Sequence, residues 1–477
     1  MNYRYIENIA GQVLVVFSAT FLFPAIVAVL NGEKFEIFII PSIISLFLGI
    51  LFLFDSKRSS KIEIEDIEDR DVYSAVALIW LLIPLIGAIP FALCGISPLD
   101  STFEAMSGFT TTGATVLTPE NLQKSILFWR SFMQWIGGIG IVVVFLIFLP
   151  QARKSSALFE AEYPAVVLPK IRPRIREMVV LIFMLYLLLT LLEITILYLL
   201  GIDAFEAVAH AFTSISTAGF STHSESIAYF NDVRVEAVLA FFCLLGGTNF
   251  ALIYALTQRQ IRAIADVEFK NYLLLLLFGI LILTILNASN LDLLQSLRYS
   301  AFQVISLATT TGYTNCDYDT WSDSAKFILL LLMLIGGCSG STSSGLKVIR
   351  VVILLKYVSY QILKIVDPRG IRVVRYGNAI ISERQMNEVV SFFVIYIFIF
   401  VFSSLLLLLI GYNLETSISA TIATLSNVGP GMGLAGASET YANFDPLAKL
   451  ILIINMWVGR LEILPVFTLL FSAFRGG

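Results

Sequence analysis

Long apolar runs constrain this chain more than any other feature of its sequence. A run of about 20 apolar residues is long enough to cross the hydrocarbon of a bilayer as a helix. With 57% hydrophobic and only 14% charged residues, the composition is typical of a polytopic membrane protein and excludes an ordinary soluble globule. Ten spans are predicted, at residues 10–30, 36–54, 72–97, 126–150, 178–200, 235–257, 271–290, 326–358, 388–410 and 446–473.

The distribution of Lys and Arg predicts the orientation of these spans, because basic loops are retained on the cytoplasmic side. If the N-terminus is inside, 23 of the 31 basic residues fall in cytoplasmic segments and seven in outer segments. Both termini are then expected in the cytoplasm, which fits an even number of spans. The predicted outer segments are rich in carboxylates, which would either concentrate cations at that face or serve as ordinary solvated loop residues.

A polar hexapeptide, TTTGYT at 309–314, lies between apolar runs and has three imperfect copies. These are TTTGAT at 110–115, STAGFS at 216–221 and SNVGPG at 426–431. One copy could be a simple turn between helices, but four at similar spacing predict a repeated unit.

Matched residues flank each copy. A short segment that begins with a helix-capping residue precedes it, and a full span with a matched glycine follows it. The predicted caps are Asp100, Asp203, Asp292 and Asn413. The matched glycines are Gly137, Gly246, Gly336 and Gly459. Each unit is therefore predicted to contain a span, a re-entrant half-helix, a glycine loop and a second span.

This repeat divides the chain into five predicted segments. Two extra transmembrane helices occupy residues 1–71, and the four repeats occupy 72–175, 176–265, 266–380 and 381–477. Backbone carbonyls at membrane depth are costly unless they are buried in protein or line a water-filled path. Four such loops around an axis would present rings of carbonyl oxygens that replace the water shell of a cation.

These motifs resemble the Trk/Ktr/HKT superfamily of potassium transporters. The two leading helices, with TTTGAT, TTTGYT and NVGPG, are most similar to its bacterial TrkH/TrkG branch. The resemblance covers essentially the whole chain and implies an all-α polytopic protein of a bacterial cytoplasmic (inner) membrane. In this fold, four membrane-pore-membrane repeats surround one pseudo-fourfold pore.

The resemblance also implies a filter for K⁺, with K⁺ as the ion in the pore and no organic cofactor in this chain. Glycine in all four loops accompanies K⁺ preference in the family, whereas Ala218 departs from the second loop of many relatives and leaves fine selectivity open. The filter residues implied at the matched positions are Thr111, Thr112, Gly113, Thr217, Ala218, Gly219, Thr310, Thr311, Gly312, Asn427, Val428 and Gly429.

The predicted span 326–358 contains a Gly- and Ser-rich interruption, GGCSGSTSSGLK at 336–347, which is unfavourable for a continuous helix. A small-residue face against a neighbouring helix is the alternative. A phosphate loop is rejected, because the Gly–Lys spacing is wrong and the stretch lies inside a span. The resemblance implies a movable gate below the filter, formed by Gly336, Gly337, Ser339, Gly340, Ser341, Thr342, Ser343, Ser344, Gly345 and Lys347.

Arg460 lies inside the last apolar span, at the position of Gly138, Gly247 and Gly337 in the other repeats. Ionisable residues at such depth are rare and usually functional. The structural alternative is a pair with Glu462 or with buried carbonyls. The resemblance implies an electrostatic and steric barrier that acts together with the gate.

Two transport mechanisms fit these features. The first is K⁺ uptake through a gated, channel-like pore, and the second couples K⁺ to H⁺ or Na⁺ movement. Coupling would require an intramembrane carboxylate, for which Glu193 and Glu462 are the candidates. His210 and His223 are interpreted as hydrogen-bonding residues. An enzyme is not indicated, since the sequence has no HExxH, paired-carboxylate or serine–base motif.

The chain has no soluble nucleotide-binding domain, so regulation is expected from a partner. The resemblance implies a cytoplasmic RCK-type nucleotide-binding subunit of the TrkA or KtrA kind, and a homodimer. The basic loop 347–384 would be its docking surface or would simply carry topological charge. Lipid surrounds the spans, and nucleic acid is not an expected partner.

Overall fold

The computed structural model describes residues 1–57, 67–148, 175–289, 291–367, 373–377 and 379–475. The basic segment 149–174 lies outside the described residues, as do 368–372 within the predicted docking loop.

Two antiparallel helical segments lead the chain. The first comprises α1 (Tyr3–Thr20) and α2 (Leu22–Leu30), and the second is α3 (Glu36–Lys57). Gly11 and Gly49 bring the two close, because a Cβ on Gly11 would lie 2.9 Å from the Gly49 carbonyl oxygen. The Ser45 hydroxyl, which donates to the Leu14 carbonyl at 2.8 Å, fixes the same contact.

The remaining helices follow the predicted order of span, half-helix and span. The first quarter contains α4 (Asp69–Gly87), α5 (Ile89–Leu93), α6 (Pro98–Phe109) and α7 (Lys124–Phe148), and the second contains α8 (Ile175–Leu199), α9 (Ala204–Ile215), α10 (Val233–Gly246) and α11 (Phe250–Thr257). The third contains α12 (Val267–Asn287), α13 (Leu293–Ala308), α14 (Asp323–Ile335) and α15 (Val348–Val366), and the fourth contains α16 (Glu383–Ile410), α17 (Leu414–Leu425), α18 (Pro446–Arg460) and α19 (Leu464–Arg475). The predicted all-α fold is confirmed.

Short elements complete the chain between these helices. A two-stranded antiparallel hairpin, β1 (Arg375–Tyr376) and β2 (Ala379–Ile380), pairs Arg375 with Ile380. Single 3₁₀ turns lie at Pro119–Asn121, Ser226–Phe230, Ile261–Ala265, Tyr318–Thr320, Gly433–Ala435 and Tyr441–Asn443.

Polar side chains start the half-helices α6, α9, α13 and α17. Asp203 and Asn413 accept backbone N–H groups of their own first turns, as predicted, and Asp292 occupies the cap position of α13. The prediction is wrong at α6, where Ser97 is the cap and Asp100 lies in the first turn. Pro98 explains why α6 starts earlier than predicted. Proline is favourable at the first helical position, because the N–H that it lacks has no hydrogen-bond partner within the helix there.

Three of the four second spans break near their matched glycines. The predicted gap in 326–358 separates α14 from α15, but the continuous spans predicted at 235–257 and 446–473 are wrong. There α10 and α11 meet at 103°, and α18 and α19 meet at 109°. Asn249 starts the new direction after the first break by capping α11, whose Ala251 N–H it accepts at 2.8 Å.

The breaks change the number of helices that satisfy the requirements for crossing a membrane. Among the described residues, six helices are long and apolar enough, or eight when each bent pair is taken as one span. The other two predicted spans correspond to α7, which leads into residues that are not described, and to the interrupted pair α14 and α15.

Ion pairs join successive quarters at equivalent positions. The second spans of quarters two, three and four each carry a charged residue ten positions before the matched glycine, namely Glu236, Lys326 and Lys449. Each pairs with the half-helix of the next quarter, at 2.5 Å to Arg298, 2.9 Å to Glu415 and 2.6 Å to Asp100. Because the last pair joins quarter four to quarter one, these three contacts link the quarters in the order two, three, four and one.

Breaking the most buried of these pairs should destabilise the fold unequally. The side chain of Glu236 is 5% exposed and that of Arg298 is 26% exposed, so only the arginine can turn to water. We expect Arg298→Ala to lower the free energy of unfolding by about 3 kcal/mol, Glu236→Ala to lower it less, and the double variant to recover part of the loss. Thermal unfolding in detergent measures this.

Arg234→Ala is the matched control. This arginine pairs with Asp232 at the surface and is 70% exposed, so its loss should leave the free energy of unfolding nearly unchanged. Equal shifts for Arg298→Ala and Arg234→Ala would show that the inter-quarter pair contributes nothing special.

Candidate functional site

The four glycine loops share one backbone conformation. In each, the glycine and the residue two before it have positive φ. The preceding residues are Thr111 (54°), Thr217 (50°), Thr310 (60°) and Asn427 (53°). The glycines are Gly113 (84°), Gly219 (77°), Gly312 (81°) and Gly429 (103°). Residues other than glycine are uncommon in this region of φ, so its recurrence at four matched positions identifies a single structural device.

A matched hydrogen bond attaches each loop to its half-helix. The N–H of the residue before each glycine donates to a carbonyl in the last turn of the helix, at 2.7 to 2.9 Å. The pairs are Thr112 to Ser107, Ala218 to Thr213, Thr311 to Ser306 and Val428 to Ala423. The C-terminal end of every half-helix, with its partial negative charge, therefore lies directly beside its loop.

Each loop glycine also lies against a carbonyl oxygen of the following loop. A Cβ added at any of these glycines would overlap that oxygen. The contacts are Gly113 with Ala218, Gly219 with Thr311, Gly312 with Val428 and Gly429 with Thr112. The four oxygens come from equivalent residues, and the order runs through all four loops and returns to the first. The predicted loops therefore meet in one closed ring.

A cavity of about 90 Å³ opens on one side of this ring. All four glycines line it, together with residues that follow them, including Thr115, Ser221, Thr314 and Pro430. We call this cavity the vestibule. Its wall also includes Arg130 and Glu439.

One carboxyl group next to the vestibule, that of Asp319, titrates between mildly acidic and neutral pH. Asp319 packs against Gly436 of the vestibule wall. Burial, with the neighbouring charge of Asp317, raises the pKa of Asp319 to about 6. This residue therefore gains a negative charge as the pH rises from mildly acidic to neutral.

A buried ion pair that no sequence motif indicates lies behind the first loop. The Arg130 Nε lies 2.7 Å from the Glu104 carboxylate, and the guanidinium covers the Phe220 ring at 4.2 Å. Arg130 also donates to the Ser221 carbonyl, so it links the first loop region to the second. The separation of Glu104 and Arg130 by 26 residues in the sequence gives no signal of pairing.

Gln134 is a second missed residue, and it distinguishes the second loop. Its amide nitrogen donates to the Ala218 carbonyl at 2.7 Å, and its amide oxygen accepts the Phe220 N–H at 3.0 Å. Ala218, the residue that departs from the family pattern, therefore has a ring carbonyl that is shared with a side chain.

The predicted gate segment 336–347 is an irregular, buried loop between α14 and α15, which we call the gate loop. The alternative of a helical packing face is wrong. Its Thr342 hydroxyl lies 3.0 Å from the Ile215 carbonyl and 3.1 Å from the Thr217 hydroxyl, and its Ser344 N–H donates to the Thr310 hydroxyl at 2.9 Å. It therefore contacts residues that precede the loop glycines, on the side of the ring away from the vestibule.

Arg460 reaches the same loop. Its guanidinium donates to the Thr342 carbonyl at 2.9 Å, to the Ser344 hydroxyl at 3.2 Å and to the Gly137 carbonyl at 2.8 Å. The carbonyl contacts are those expected from the structural alternative, and one of them belongs to the gate loop. Glu462, the other proposed partner, forms an ion pair with Arg350.

The histidines and the buried carboxyl group have hydrogen-bond partners. His210 lies 2.9 Å from the Glu206 carbonyl and 3.1 Å from the Ser221 hydroxyl. His223 contacts the Glu206 carboxylate at 2.7 Å. Glu193 is fully buried and accepts the Ser214 hydroxyl of α9 at 2.5 Å.

Comparison with known proteins gives one result throughout. A family model described as TrkH, cation transport protein, matches residues 38–474. The Trk system potassium uptake protein TrkH of Halomonas elongata is 33% identical, with 99% of each chain covered, and TrkH of Escherichia coli K12 is 34% identical, with 98% of each covered. The crystal structure of the potassium transporter TrkH from Vibrio parahaemolyticus matches with a TM-score of 0.88 at 31% identity, covering 99% of this chain and 100% of that one.

The resemblance seen in the sequence motifs is thereby confirmed, since the matches extend over nearly all of both chains. The chain belongs to the TrkH family of membrane cation transport proteins.

Proposed function

We propose that this protein takes up K⁺ across the bacterial cytoplasmic membrane through a gated, channel-like pore. The closed ring of four equivalent carbonyl oxygens carries the proposal, because such a ring can replace the hydration shell of an alkali cation. The names of the relatives, which are potassium uptake proteins, support K⁺ as the ion.

In this mechanism the four loops form the filter, and their main-chain oxygens contact K⁺ as it sheds water. The half-helix ends beside the loops contribute partial negative charge without a titratable group. An ion would enter from the vestibule, where the pore lining is mostly backbone and small polar side chains. The glycines keep the loops close enough for oxygens of neighbouring quarters to act on one ion.

The gate loop and Arg460 would together close the opposite side of the filter. The loop occupies the space next to Thr217 and Thr310, and Arg460 adds a buried positive charge that repels a cation. Displacing the loop would remove both the steric and the electrostatic obstacle, because Arg460 is hydrogen-bonded to it.

Coupling of K⁺ to H⁺ or Na⁺ is the second candidate, and Glu193 favours it. This fully buried carboxyl lies behind the second half-helix, and its Oε2 has no hydrogen-bond partner among the described residues. Such a group could exchange a proton during a transport cycle.

The proposal extends to the orientation of the chain in the membrane and to its regulatory partner. We infer that both termini are cytoplasmic, that an RCK-type nucleotide-binding subunit controls the gate, and that the protein functions as a homodimer. The basic-residue distribution supports the orientation, and the relatives' membership of a Trk system supports a partner.

Reversal potentials measured in vesicles test the two mechanisms. A channel-like pore should reverse at the K⁺ equilibrium potential in acidic and in alkaline buffer alike. A shift of the reversal potential with pH or with the Na⁺ gradient would instead establish coupling.

Gly312→Ser should weaken discrimination between K⁺ and Na⁺. A side chain at this position would collide with the Val428 carbonyl and would lie 2.7 Å from Pro430 Cδ. The ring oxygens must therefore move, and we expect the K⁺/Na⁺ flux ratio to fall about tenfold, equivalent to about 1.4 kcal/mol.

Gly95→Ser is the matched control, since Gly95 has a φ of 88° but no atom within 4 Å of an added Cβ. It imposes similar backbone strain away from the ring. Unchanged discrimination in Gly312→Ser, or an equal loss in both variants, would contradict the filter assignment.

Arg460→Ala should raise K⁺ flux because it removes a buried positive charge and two hydrogen bonds that hold the gate loop. We expect an increase of about tenfold in reconstituted vesicles, with K⁺/Na⁺ discrimination retained. The exposed Arg234→Ala serves as the control for loss of an arginine. Wild-type flux in Arg460→Ala would contradict the barrier role.

A further inference from the structure

The helix that follows the gate loop begins without a capping side chain of its own. α15 starts at Val348, and the preceding residue, Lys347, has a φ of 70° and makes no cap hydrogen bond. Its ammonium group instead donates back to the Ser343 carbonyl. A helix start carries free N–H groups and partial positive charge, so a lysine there has the unfavourable sign.

A carboxylate from another helix caps the start of α15. Glu268, in the first turn of α12, accepts the N–H of Ile349 at 3.2 Å, within the first turn of α15. Because Glu268 is 1% exposed, the interaction takes place away from bulk water.

The same oxygen also holds the other end of the loop. The Ser339 N–H donates to Glu268 Oε1 at 2.7 Å, so one carboxylate joins the start of the gate loop to the helix that ends it. The residues between these two points include Thr342 and Ser344, which contact the filter threonines and Arg460. The seated position of the loop is therefore fixed at its base by Glu268.

The energetics favour a role beyond packing. A buried carboxylate is costly unless hydrogen bonds and nearby charge offset the cost. Here burial and the nearby Asp266 disfavour the charged form of Glu268, whereas two backbone donors, the start of α15 and Lys347 favour it. Its Oε2 has no hydrogen-bond partner among the described residues, so the stabilisation comes mainly through Oε1.

Glu33 shows that this chain uses the same contact elsewhere. It lies in the turn between α2 and α3 and accepts the N–H groups of Lys124 and Ser125, both at 2.9 Å, at the start of α7. That helix is unbroken and carries no loop. At α7 the carboxylate therefore caps a continuous helix. At α15 it caps a helix and also binds the loop that precedes that helix.

We propose that Glu268 is a positioning residue that latches the gate loop in its seated, closed position. The inference rests on the proposed role of that loop as the gate. Loss of the Glu268 charge would weaken both base contacts, release the loop from Thr217 and Thr310, and shift the protein toward the open state.

The chain contains a natural probe for this movement. Cys338 lies in the gate loop and is 1% exposed, whereas Cys243 is equally buried in α10. Maleimide labelling of the full-length protein in vesicles, followed by peptide mass spectrometry, measures both thiols at once. Unfolding would expose both cysteines, but release of the loop would expose Cys338 alone.

We expect Glu268→Gln to increase the labelling rate of Cys338 and the K⁺ flux by about tenfold each, without changing Cys243 labelling or K⁺/Na⁺ discrimination. Glu388→Gln is the control, because Glu388 pairs with Arg384 at the surface and is 58% exposed. Cys338 labelling equal to that of Glu388→Gln, or equal increases at both cysteines, would overturn the latch. Faster Cys338 labelling with unchanged flux would support the latch and contradict the gate function.

Discussion

The close contact between each loop glycine and the next loop's carbonyl oxygen governs the architecture around it. Four such contacts must hold at once, so the loops, the half-helices and the second spans have little freedom to shift independently. Close backbone contact also requires glycine where the second spans pack against the half-helices. A Cβ at Gly137 or Gly459 would overlap the carbonyl of the last residue in the adjacent half-helix, Phe109 or Leu425. The centre of the molecule is thus assembled by close backbone approach more than by side-chain packing.

Charged contacts stabilise this arrangement from outside. The three inter-quarter ion pairs hold the second spans against neighbouring half-helices, and the Arg130–Glu104 pair fastens the first two loops behind the vestibule. Apart from the exposed Glu415, these groups are buried or half-buried, where a hydrogen-bonded ion pair is strong and a single unpaired charge is costly. The backbone can therefore form the ring of carbonyl oxygens while side chains fix its dimensions.

Local signals explain how much of the fold could be predicted from the sequence. The apolar runs, the half-helices and the TTTGYT-type loops each appear in consecutive residues, and the family resemblance assigned Arg460 to the gate loop, which it contacts. Other features depend on residues far apart in the chain. Arg130, Gln134 and Glu268 act on partners 26 to 91 residues away, and no periodic pattern marks such pairs. The bend after Gly246 was missed because apolar residues continue through it, although Asn249 is a recognisable cap.

Covalent linkage of four unlike quarters has a consequence for how such a ring evolves. In an assembly of four identical subunits, every substitution appears four times around the axis. Here, among the described residues, the third quarter supplies the buried irregular loop and the fourth supplies the arginine that touches it. A single mutation therefore changes only one of the four quarters. Natural selection can adjust one quarter of the ring in small increments and leave the other three unchanged.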